Sequence, residues 1–412
     1  MEVIYARCCG LDIHKQTVVA CVIVPGPERQ PRKEVRTFGT MTADLLALSD
    51  WLAAEGVTHV ALESTGVYWK PVWNVLEGSF ELLLANARHI KAVPGRKTDV
   101  RDCEWIADLL RHGLLKASFV PDRGARELRE LTRYRTSLVR ERTAEANRLQ
   151  KTLEGANIKL AAVATDILGK SGREILAALV AGSTDAAALA QLAKGRLREK
   201  LPALERALVG RFGAHQRFLV AQQLAHLDFL DAAIAEVSAE VAERLRPFED
   251  ALTRLDTIPG IGRYVAETLV AEIGTDMSRF PTAAHLASWA GMCPGNNESA
   301  GKRRSGKTRK GSPWLRALLV QAAHAAARKR DTYLAAQYRR LAARRGASKA
   351  AIAVGHTILT IAYHLLRRDT EYQELGPRYF DEHDRQTVER RLVRRLEALG
   401  NKVTLEPAHP AA

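Results

Sequence analysis

The spacing of apolar residues changes near residue 125, and this change limits the folds that the chain can adopt. Before it, short β-rich runs alternate with stretches of helical spacing, a pattern typical of an α/β layer around a mixed sheet. From about residue 125 to 247 the pattern is almost purely helical, with apolar side chains every three or four positions. A second globular unit follows from about Leu255. The predicted fold class is therefore α/β plus all-α.

Four segments follow from this pattern and from shifts in composition. We predict an α/β domain over residues 1–124, a long helical region over 125–250, a second helical domain over 251–370 and a charged tail over 371–412. The helical region carries a seam typical of a coiled coil or a helical hairpin, made of Leu224, Leu227, Leu230, Ile234, Val237, Val241 and Leu245. The seam can pack against another helix of the same chain or against a second subunit, and both alternatives are open.

The charge balance indicates a polyanionic partner. The chain has 62 Lys and Arg residues against 47 Asp and Glu residues, a formal net charge of +15 and a pI near 9.8. Nucleic acid is the first candidate for such a partner. A generally basic protein from a GC-rich genome is the alternative, but six basic residues cluster within positions 302–310 of one loop.

The cysteines and the apolar runs bear on the compartment. The five cysteines contain no Cys-x-x-Cys pair, which argues against a zinc site and indicates reduced thiols in the cytoplasm. The apolar run 18–24 follows charged residues and fits a strand better than an export signal. The run 351–366 contains two histidines and is too short to span a membrane. We therefore expect a cytoplasmic protein with no membrane partner.

Four acidic residues stand out by their position. Asp12 and Glu63 lie in otherwise apolar strand runs, where a carboxylate is costly to bury unless it is paired or binds a metal. Asp99 and Asp102 are three residues apart on a helix predicted from Lys97, so they share one face. If these elements pack together, four carboxylates meet and need one or two Mg²⁺ or Mn²⁺ ions to offset their repulsion. The simpler alternative is a capping acid and a solvated helix face.

A stretch rich in glycine, serine and asparagine over residues 292–311 predicts a basic loop. Ten Lys and Arg residues and no acid lie between Ser299 and Arg330. Such a loop can bring cations and backbone N–H groups to phosphates together. The candidate phosphate ligands are Lys302, Arg303, Arg304, Lys307, Arg309 and Lys310. Alternatively, the loop is a disordered arm that adds only non-specific affinity.

The same loop contains two candidate nucleophiles, Ser299 and Ser305. A serine hydroxyl needs a base or a metal to become a good nucleophile. The loop has no histidine and its only acid is Glu298, so activation has to come from elsewhere. The predicted carboxylate–metal cluster is the natural source.

The sequence Ile258-Pro-Gly-Ile-Gly262 lies between two predicted helices and resembles the hairpin of helix-hairpin-helix modules. The candidate phosphate-binding residues of this turn are Pro259, Gly260 and Gly262, and its free backbone donors are the N–H groups of the residues other than proline. Together with the N-terminus of the next helix, these donors can hold one DNA phosphate. A plain turn between two helices is the alternative.

Taken in this order, the motifs resemble those of insertion-sequence transposases with an acidic N-terminal domain and a C-terminal serine domain, a group that includes the Piv/MooV DNA invertases. The resemblance runs from Leu11 to about Arg367. Its motifs are Gly10-Leu-Asp-Ile-His-Lys15, Leu62-Glu-Ser-Thr-Gly-Val-Tyr-Trp69, Lys97-Thr-Asp-Val-Arg-Asp102, Ile258-Pro-Gly-Ile-Gly262, Gly291-Met-Cys-Pro294 and Ser299-Ala-Gly-Lys302.

This resemblance implies a fold, a set of site residues and two nucleic-acid partners. The N-terminal domain is implied to be ribonuclease-H-like, of the RuvC type, with its four acids at Asp12, Glu63, Asp99 and Asp102. The nucleophile is implied to be Ser299, although the family usually has glycine where this chain has alanine at position 300. Members are implied to be recombinases guided by a structured non-coding bridge RNA that pairs with donor and target DNA.

The resulting expectation is a DNA transposase or recombinase of a bacterial insertion sequence. It would associate with the nucleoid when bound to DNA, and it would act as a homodimer that pairs into a homotetramer. One alternative is a metal-dependent hydrolytic junction nuclease in which Ser299 only contacts phosphate. A site-specific DNA invertase and a non-enzymatic nucleic-acid-binding scaffold are two further alternatives.

Overall fold

The computed structural model describes residues 2–27, 30–64, 66–86, 90, 102–295, 297–308, 310–383 and 385–405; for 297–299, 303–305 and 388 it describes the backbone only. Contacts divide the chain into two compact units, Met1–Asp122 and Arg123–Ala412. The division falls close to the change in sequence pattern near residue 125. Each unit buries its own apolar side chains.

A five-stranded mixed sheet forms the centre of the first unit. Its strands are β1 (Cys8–Ile13), β2 (Thr17–Pro25), β3 (Pro31–Gly39), β4 (His59–Glu63) and β5 (Glu81–Ala85), in the order β3-β2-β1-β4-β5. Strand β2 pairs antiparallel with β1 and β3, whereas β4 runs parallel to β1 and β5. The helices are α1 (Thr42–Ala54), α2 (Trp69–Leu76) and α3 (Asp102–Arg111). The predicted α/β domain with a mixed sheet is confirmed.

The two faces of the sheet pack against different helices, because side chains alternate along a strand. Leu11 and Ile13 of β1 share a core with α1 and α2. Cys8 of β1 and Ala61 of β4 instead share a core with α3. The side chains on each strand therefore divide between an α1/α2 face and an α3 face.

Gly10 lets α3 lie close against β1. A Cβ atom at this position would fall 2.3 Å from the backbone nitrogen of Ala107 and 2.4 Å from the carbonyl oxygen of Cys103. Both distances are far shorter than van der Waals contact, and both atoms belong to the helix backbone. A side chain here would push the whole helix away from the sheet.

Replacing Gly10 by alanine is expected to lower the free energy of unfolding by about 1–3 kcal/mol, because the added methyl group overpacks against α3. The measurement is the denaturant midpoint of the full chain. Gly155→Ala is the matched control, since nothing lies within 4 Å of the Cβ atom it would add. This control should keep or slightly raise stability. Equal stability of the Gly10→Ala and wild-type proteins would contradict the packing of α3.

A long helical hairpin opens the second unit. Its helices are α4 (Arg123–Gly155), α5 (Leu160–Val163), α6 (Lys170–Val180), α7 (Ala186–Gln191), α8 (Leu201–Leu208) and α9 (Ala214–Leu245). Helices α4 and α9 run antiparallel, because Arg244 pairs with Glu127 at 3.0 Å whereas Gln223 donates to Thr152 at 3.2 Å. The shorter helices connect the two and pack at the closed end.

The predicted seam of α9 packs within the chain. Leu227 shares a core with Leu149 and Leu153 of α4, and Val241 shares a core with Leu128 near the start of α4. Of the two alternatives that the sequence left open, the structure therefore shows packing against the chain's own helix. The face of α9 opposite the seam, which carries the exposed side chains of Phe218 and Phe229, does not take part in this packing.

A helical bundle completes the second unit. Its elements are α10 (Glu249–Asp256), α11 (Arg263–Ile273), α12 (Ala283–Trp289), β6 (Asn297–Ser299), β7 (Lys302–Ser305), α13 (Pro313–Arg328), α14 (Tyr333–Arg345), α15 (Ala347–Arg368), α16 (Tyr379–His383) and α17 (Arg385–Ala398). One core joins this bundle to the open end of the hairpin, since Leu128 and Val241 pack with Leu252. The predicted boundaries at 250 and 370 remain predictions.

Helix α15 is long and apolar enough to cross a membrane by length and composition, with a mean hydropathy of 1.3. Within the bundle, however, it packs against α12, α13 and α14, and Val354, Ile358 and Leu359 are fully buried. Its apolar composition is therefore explained by its place in the core.

Burial makes the cysteines of the first unit unreactive. Cys8, Cys9, Cys21 and Cys103 are buried free thiols. Burial raises the pKa of the Cys8 thiol to about 11 and that of the Cys21 thiol to about 12. At neutral pH both are protonated, and a protonated thiol is a poor nucleophile.

Candidate functional site

Asp12 and Glu63 lie next to each other at the carboxyl ends of two parallel strands. Strands β1 and β4 are hydrogen-bonded neighbours, and their register sets Leu11 opposite Leu62. Asp12 and Glu63 are the next residues along their strands. Neighbouring strands are about 4.8 Å apart, so the two acidic side chains start from adjacent backbone positions.

Both carboxylates belong to the α3 face of the sheet. Gly10 and Ala61, two residues earlier on the same strands, pack against α3. Strand residues two apart share a face. Asp12 and Glu63 are both half-buried. Like charges at such a spacing repel each other, so this position favours a cationic partner.

His14 is one partner of Asp12. Its Nε2 atom lies 3.2 Å from Asp12 Oδ2, and its backbone N–H donates to the carbonyl oxygen of Thr17 in the turn between β1 and β2. The imidazole is 62% exposed and the Asp12 side chain 23% exposed, so a substrate can reach both. Sequence reasoning gave His14 no role. Its position two residues after a strand carboxylate is the signal that could have identified it.

Helix α3 brings Asp102 to the same end of the sheet. Cys103, near the start of the helix, lies against Gly10 in the middle of β1. The backbone carbonyl oxygen of Arg111, at the end of the helix, accepts hydrogen bonds from the N–H groups of Ile4 and Tyr5, which precede β1. The helix therefore runs antiparallel to β1, and exposed Asp102 is at the end of the strand that carries Asp12.

The fourth predicted acid, Asp99, lies outside the described residues, as does the rest of the segment 91–101. Among the residues that the structure describes, no three His, Cys, Asp or Glu side chains are grouped closely enough to hold a metal ion. The structure thus places Asp12 and Glu63 on neighbouring strands and Asp102 at the same end of the sheet. The complete four-acid cluster stays a prediction.

The segment with both candidate serines forms a small hairpin. Strands β6 and β7 pair antiparallel, with Ser299 opposite Lys302 beside the turn and Ser305 at the far end. The turn residues Ala300 and Gly301 have φ values of 51° and 71°. Positive φ at both positions is typical of the type I′ turn, whose twist matches paired strands. The segment predicted as a loop thus contains two short paired strands, because the turn geometry outweighs the loop-like composition.

Ala300 holds a strained backbone conformation. An L-residue in the left-handed region costs roughly 1–2 kcal/mol, which glycine avoids. This is the position where related transposases were expected to have glycine. The chain therefore carries local strain in the residue that follows Ser299.

The predicted phosphate ligands of the loop are described in part. Three of the side chains are exposed, those of Lys302, Lys307 and Lys310. For Arg303 and Arg304 only the backbone is described, on β7, and Arg309 lies outside the described residues. The described cations are accessible to a polyanion.

The turn between α10 and α11 divides into a buried part and an exposed part. Pro259 is buried, and a Cβ atom on Gly260, which has a φ of 92°, would lie 2.4 Å from the carbonyl oxygen of Ala322. Gly260 therefore packs against α13.

Gly262 is exposed and precedes α11 without a side-chain cap. The N–H group of Val265 donates to the carbonyl oxygen of Gly262, whereas those of Arg263 and Tyr264 have no partner among the described residues and are open to a ligand. The phosphate role predicted for this turn stays a prediction.

Two transposase family models match the chain in the regions that carry these features. The DEDD transposase model of the IS110 type matches residues 9–158, and the model of the transposase IS116/IS110/IS902 family matches residues 252–339. The chain belongs to the IS110/IS116 family of transposases. The first match contains the four predicted acids, and the second contains the serine hairpin and the turn before α11.

Curated relatives of the transposase come from several organisms. It is 27% identical to a probable family 20 transposase of Pseudomonas aeruginosa, over 76% of this chain and 85% of that protein. It is 28% identical to an uncharacterised 43.6 kDa protein of insertion element IS110 from Streptomyces coelicolor, over 52% of this chain and 57% of that protein. It is 30% identical to an uncharacterised 42 kDa protein of insertion element IS900 from Mycobacterium paratuberculosis, over 58% of this chain and 66% of that protein. As a transposase it acts on DNA, which it cuts and rejoins.

Proposed function

We propose that this insertion-sequence transposase cuts and rejoins DNA through a covalent serine intermediate. Ser299 is the nucleophile, and Asp12, Glu63, Asp99 and Asp102 form a cluster that binds Mg²⁺ or Mn²⁺. The observation that carries the proposal is the register of β1 and β4, which sets two half-buried carboxylates side by side. The strand order β3-β2-β1-β4-β5 is consistent with a RuvC-type ribonuclease-H fold.

The described acids suit a hard divalent cation. Carboxylate oxygens are the ligands that Mg²⁺ prefers, and two that start from neighbouring strands on one face can share an ion. Asp102 at the same end of the sheet, and Asp99 three residues before it, would complete the ligand set. When bound, such an ion would stabilise the negative charge that develops on a scissile phosphate.

In the proposed reaction the Ser299 oxygen attacks the phosphorus atom, and the bond to the leaving DNA oxygen breaks. The serine proton passes to a carboxylate of the cluster and from there to the leaving oxygen, so the leaving strand ends in a free hydroxyl. One phosphoester bond forms for each one that breaks. Attack on the serine ester by the hydroxyl of another strand reverses the step, so the strands rejoin without ATP.

The basic residues of the hairpin loop are the proposed phosphate ligands next to the cut. Lys302, Lys307 and Lys310 are exposed, and each neutralised phosphate adds affinity that falls as salt rises. Gly262, at the open N-terminus of α11, is the proposed contact to one further phosphate. A structured bridge RNA encoded by the element is the proposed guide, and the net charge of +15 supports a nucleic-acid partner of this kind.

Strand exchange between two duplexes needs more than one active site, so the proposed assembly is a homodimer that pairs into a homotetramer. Phe218 and Phe229 support it, since they are 64% and 65% exposed and lie three turns apart on one side of α9. Exposed Ala225 and Ala232 lie on the same side. Replacing both phenylalanines by serine should reduce the oligomeric state in sedimentation velocity. Unchanged sedimentation would exclude this face.

The test of the function is recombination by the purified full chain. Its substrates are plasmids that carry the element ends and a target, with RNA transcribed from the flanking non-coding region. Joined products are expected with Mg²⁺ or Mn²⁺ and should disappear with EDTA. Products that persist in EDTA would refute the metal, and an unchanged yield without RNA would refute the guide.

A further inference from the structure

Arg140 and Trp314 form a stacked pair that the proposed reaction does not use. The guanidinium carbon of Arg140 lies 4.8 Å from the centre of the Trp314 ring. Arg140 is exposed and Trp314 is half-buried. With respect to the described residues, Arg140 forms no hydrogen bond or ion pair. The cation is therefore held by the ring and is open to an anionic ligand.

A second arginine–tryptophan pair in the same unit has a structural role. The guanidinium carbon of Arg129 lies 5.8 Å from the Trp289 ring. Arg129 also donates to the backbone carbonyl oxygens of Ala271 and Glu272, which ties α4 to α11. Its donors are thus used within the fold, whereas Arg140 has the stacking without such bonds.

A narrow groove between α4, α11 and α13 surrounds the Arg140–Trp314 pair. We call it the Trp314 groove, and the residues that matter in it are Arg133, Thr136, Arg140, Tyr264, Trp314 and Gln321. Thr136 and Tyr264 share a hydrogen bond of 2.8 Å, and Gln321 is exposed. Both hydroxyls are thus used within the fold, since Thr136 also donates to the carbonyl oxygen of Thr132. The groups left for a ligand are an aromatic face, a cation and an amide, with which proteins bind a nucleotide.

The groove follows the basic loop directly in the chain. Trp314 is the second residue of α13 and comes four residues after Lys310. The start of α13 is fixed, because Ser312 donates to the fully buried Glu272 at 3.3 Å and Arg133 donates to the same carboxylate at 2.7 and 3.0 Å. The Trp314 ring therefore has a fixed position, and it follows closely in the chain after the cations proposed to bind the strand that is cut.

We propose that the Trp314 groove binds one unpaired nucleotide of the DNA strand next to the cleavage site, with its base on the Trp314 ring and its phosphate on Arg140. This proposal rests on the proposed function of the basic loop. A base inside a duplex has both faces covered by its neighbours, so only an unpaired base can stack on a protein ring. The groove has a free volume of only about 20 Å³ while Arg140 covers the ring, so the guanidinium has to move to the phosphate before a base can stack there. No ion pair with a described residue holds it in place.

An unpaired base next to the cut is what strand exchange requires. Strands that leave one partner and join another have to separate before they pair again. A groove that stacks a base without reading its identity would hold the released strand during this interval. The occupant is DNA, because the preceding loop is the proposed ligand of the strand that is cut.

The first test compares the affinity of full-length variants for fluorescent single-stranded DNA, in EDTA so that no cleavage occurs. Trp314→Ala should weaken binding by about tenfold, the loss of one stacked base, and Trp314→Phe should stay within about threefold of wild type. Arg140→Gln should weaken binding and lower the salt dependence by about one phosphate contact. Trp289→Phe and Arg344→Gln, an exposed arginine of α14, are the controls and should bind as wild type does.

Three outcomes would overturn the proposal: wild-type affinity of Trp314→Ala, an equal loss in Trp289→Phe, or a larger loss for RNA of the same sequence than for DNA. Duplex DNA should bind with little change in all variants.

A second test needs no substitution, so misfolding cannot affect it. DNA with 5-iododeoxyuridine at successive positions near the element end should crosslink to Trp314 under ultraviolet light, and crosslinks found only elsewhere would contradict the groove. Neither test needs Ser299 or a metal, so a failure of the serine mechanism remains distinguishable.

Discussion

Alanine in place of Ser299 is expected to abolish the covalent protein–DNA adduct and to lower recombination at least about 10³-fold. The variant lacks the oxygen that attacks phosphorus, and a methyl group cannot replace it. DNA binding should change little, since one hydroxyl is a small part of a basic interface. The measurement is a denaturing gel of the protein with labelled, nicked DNA, together with the yield of joined product.

Ser305→Ala is the matched control for this experiment. Ser305 lies in the same hairpin, at the end away from the turn, and the substitution removes the same hydroxyl group. It should leave the adduct intact. An adduct that is lost in Ser305→Ala and kept in Ser299→Ala would move the nucleophile to Ser305. Continued cleavage by Ser299→Ala without any adduct would favour the hydrolytic junction nuclease.

Asparagine in place of Asp12 is expected to lower cleavage at least about 10³-fold while DNA binding stays near wild type. The amide keeps the shape of the side chain but removes the charge that a divalent cation needs. Glu63→Gln should behave in the same way, since Glu63 is the register neighbour. The substitutions remove a like-charge repulsion, but Asp12→Asn also weakens the contact with His14, so both proteins should unfold near the wild-type denaturant concentration. Cleavage rate, affinity and denaturant midpoint are measured on the same preparations.

Asp50→Asn is the control for the carboxylate series. Asp50 is exposed on α1, away from the ends of β1 and β4, and should tolerate the change. His14→Gln should cause a smaller loss than Asp12→Asn, since His14 contacts one carboxylate rather than supplying it. Wild-type cleavage by both Asp12→Asn and Glu63→Gln would favour the non-enzymatic scaffold, in which the acids only cap and pair.

The local sequence pattern predicted the strands that carry Asp12 and Glu63, but it did not predict that these two strands are neighbours in the sheet. The apolar strand runs predicted around Asp12 and Glu63 appear as Cys8–Ile13 and His59–Glu63, because β-branched and apolar residues favour strands over a few positions. The proximity of Asp12 and Glu63 needs these strands to pair in parallel and in one register. That is a non-local choice, settled by the packing of the whole sheet.

Two further features depended on contacts that the sequence does not express. The apolar seam of α9 was compatible with packing against a helix of the same chain or against a second subunit. In the structure it is buried against α4 of the same chain. A glycine at position 260 is compatible with a phosphate-binding turn. The close approach of Gly260 to α13 is a second reason for glycine at this position, because a side chain would not fit there. In both cases the residue type was compatible with two environments, and only the fold distinguishes them.

The residue that carries DNA after the reaction can be identified directly, and its identity decides whether the serine mechanism is correct. Wild-type protein, element DNA, RNA and Mg²⁺ are incubated, denatured and digested with nuclease and protease, and the peptides are analysed by mass spectrometry. We expect a nucleotide phosphate on Ser299 that is absent without Mg²⁺ and absent from the Asp12→Asn protein. DNA ends that carry no protein, or a phosphate on a residue other than Ser299, would contradict the serine mechanism.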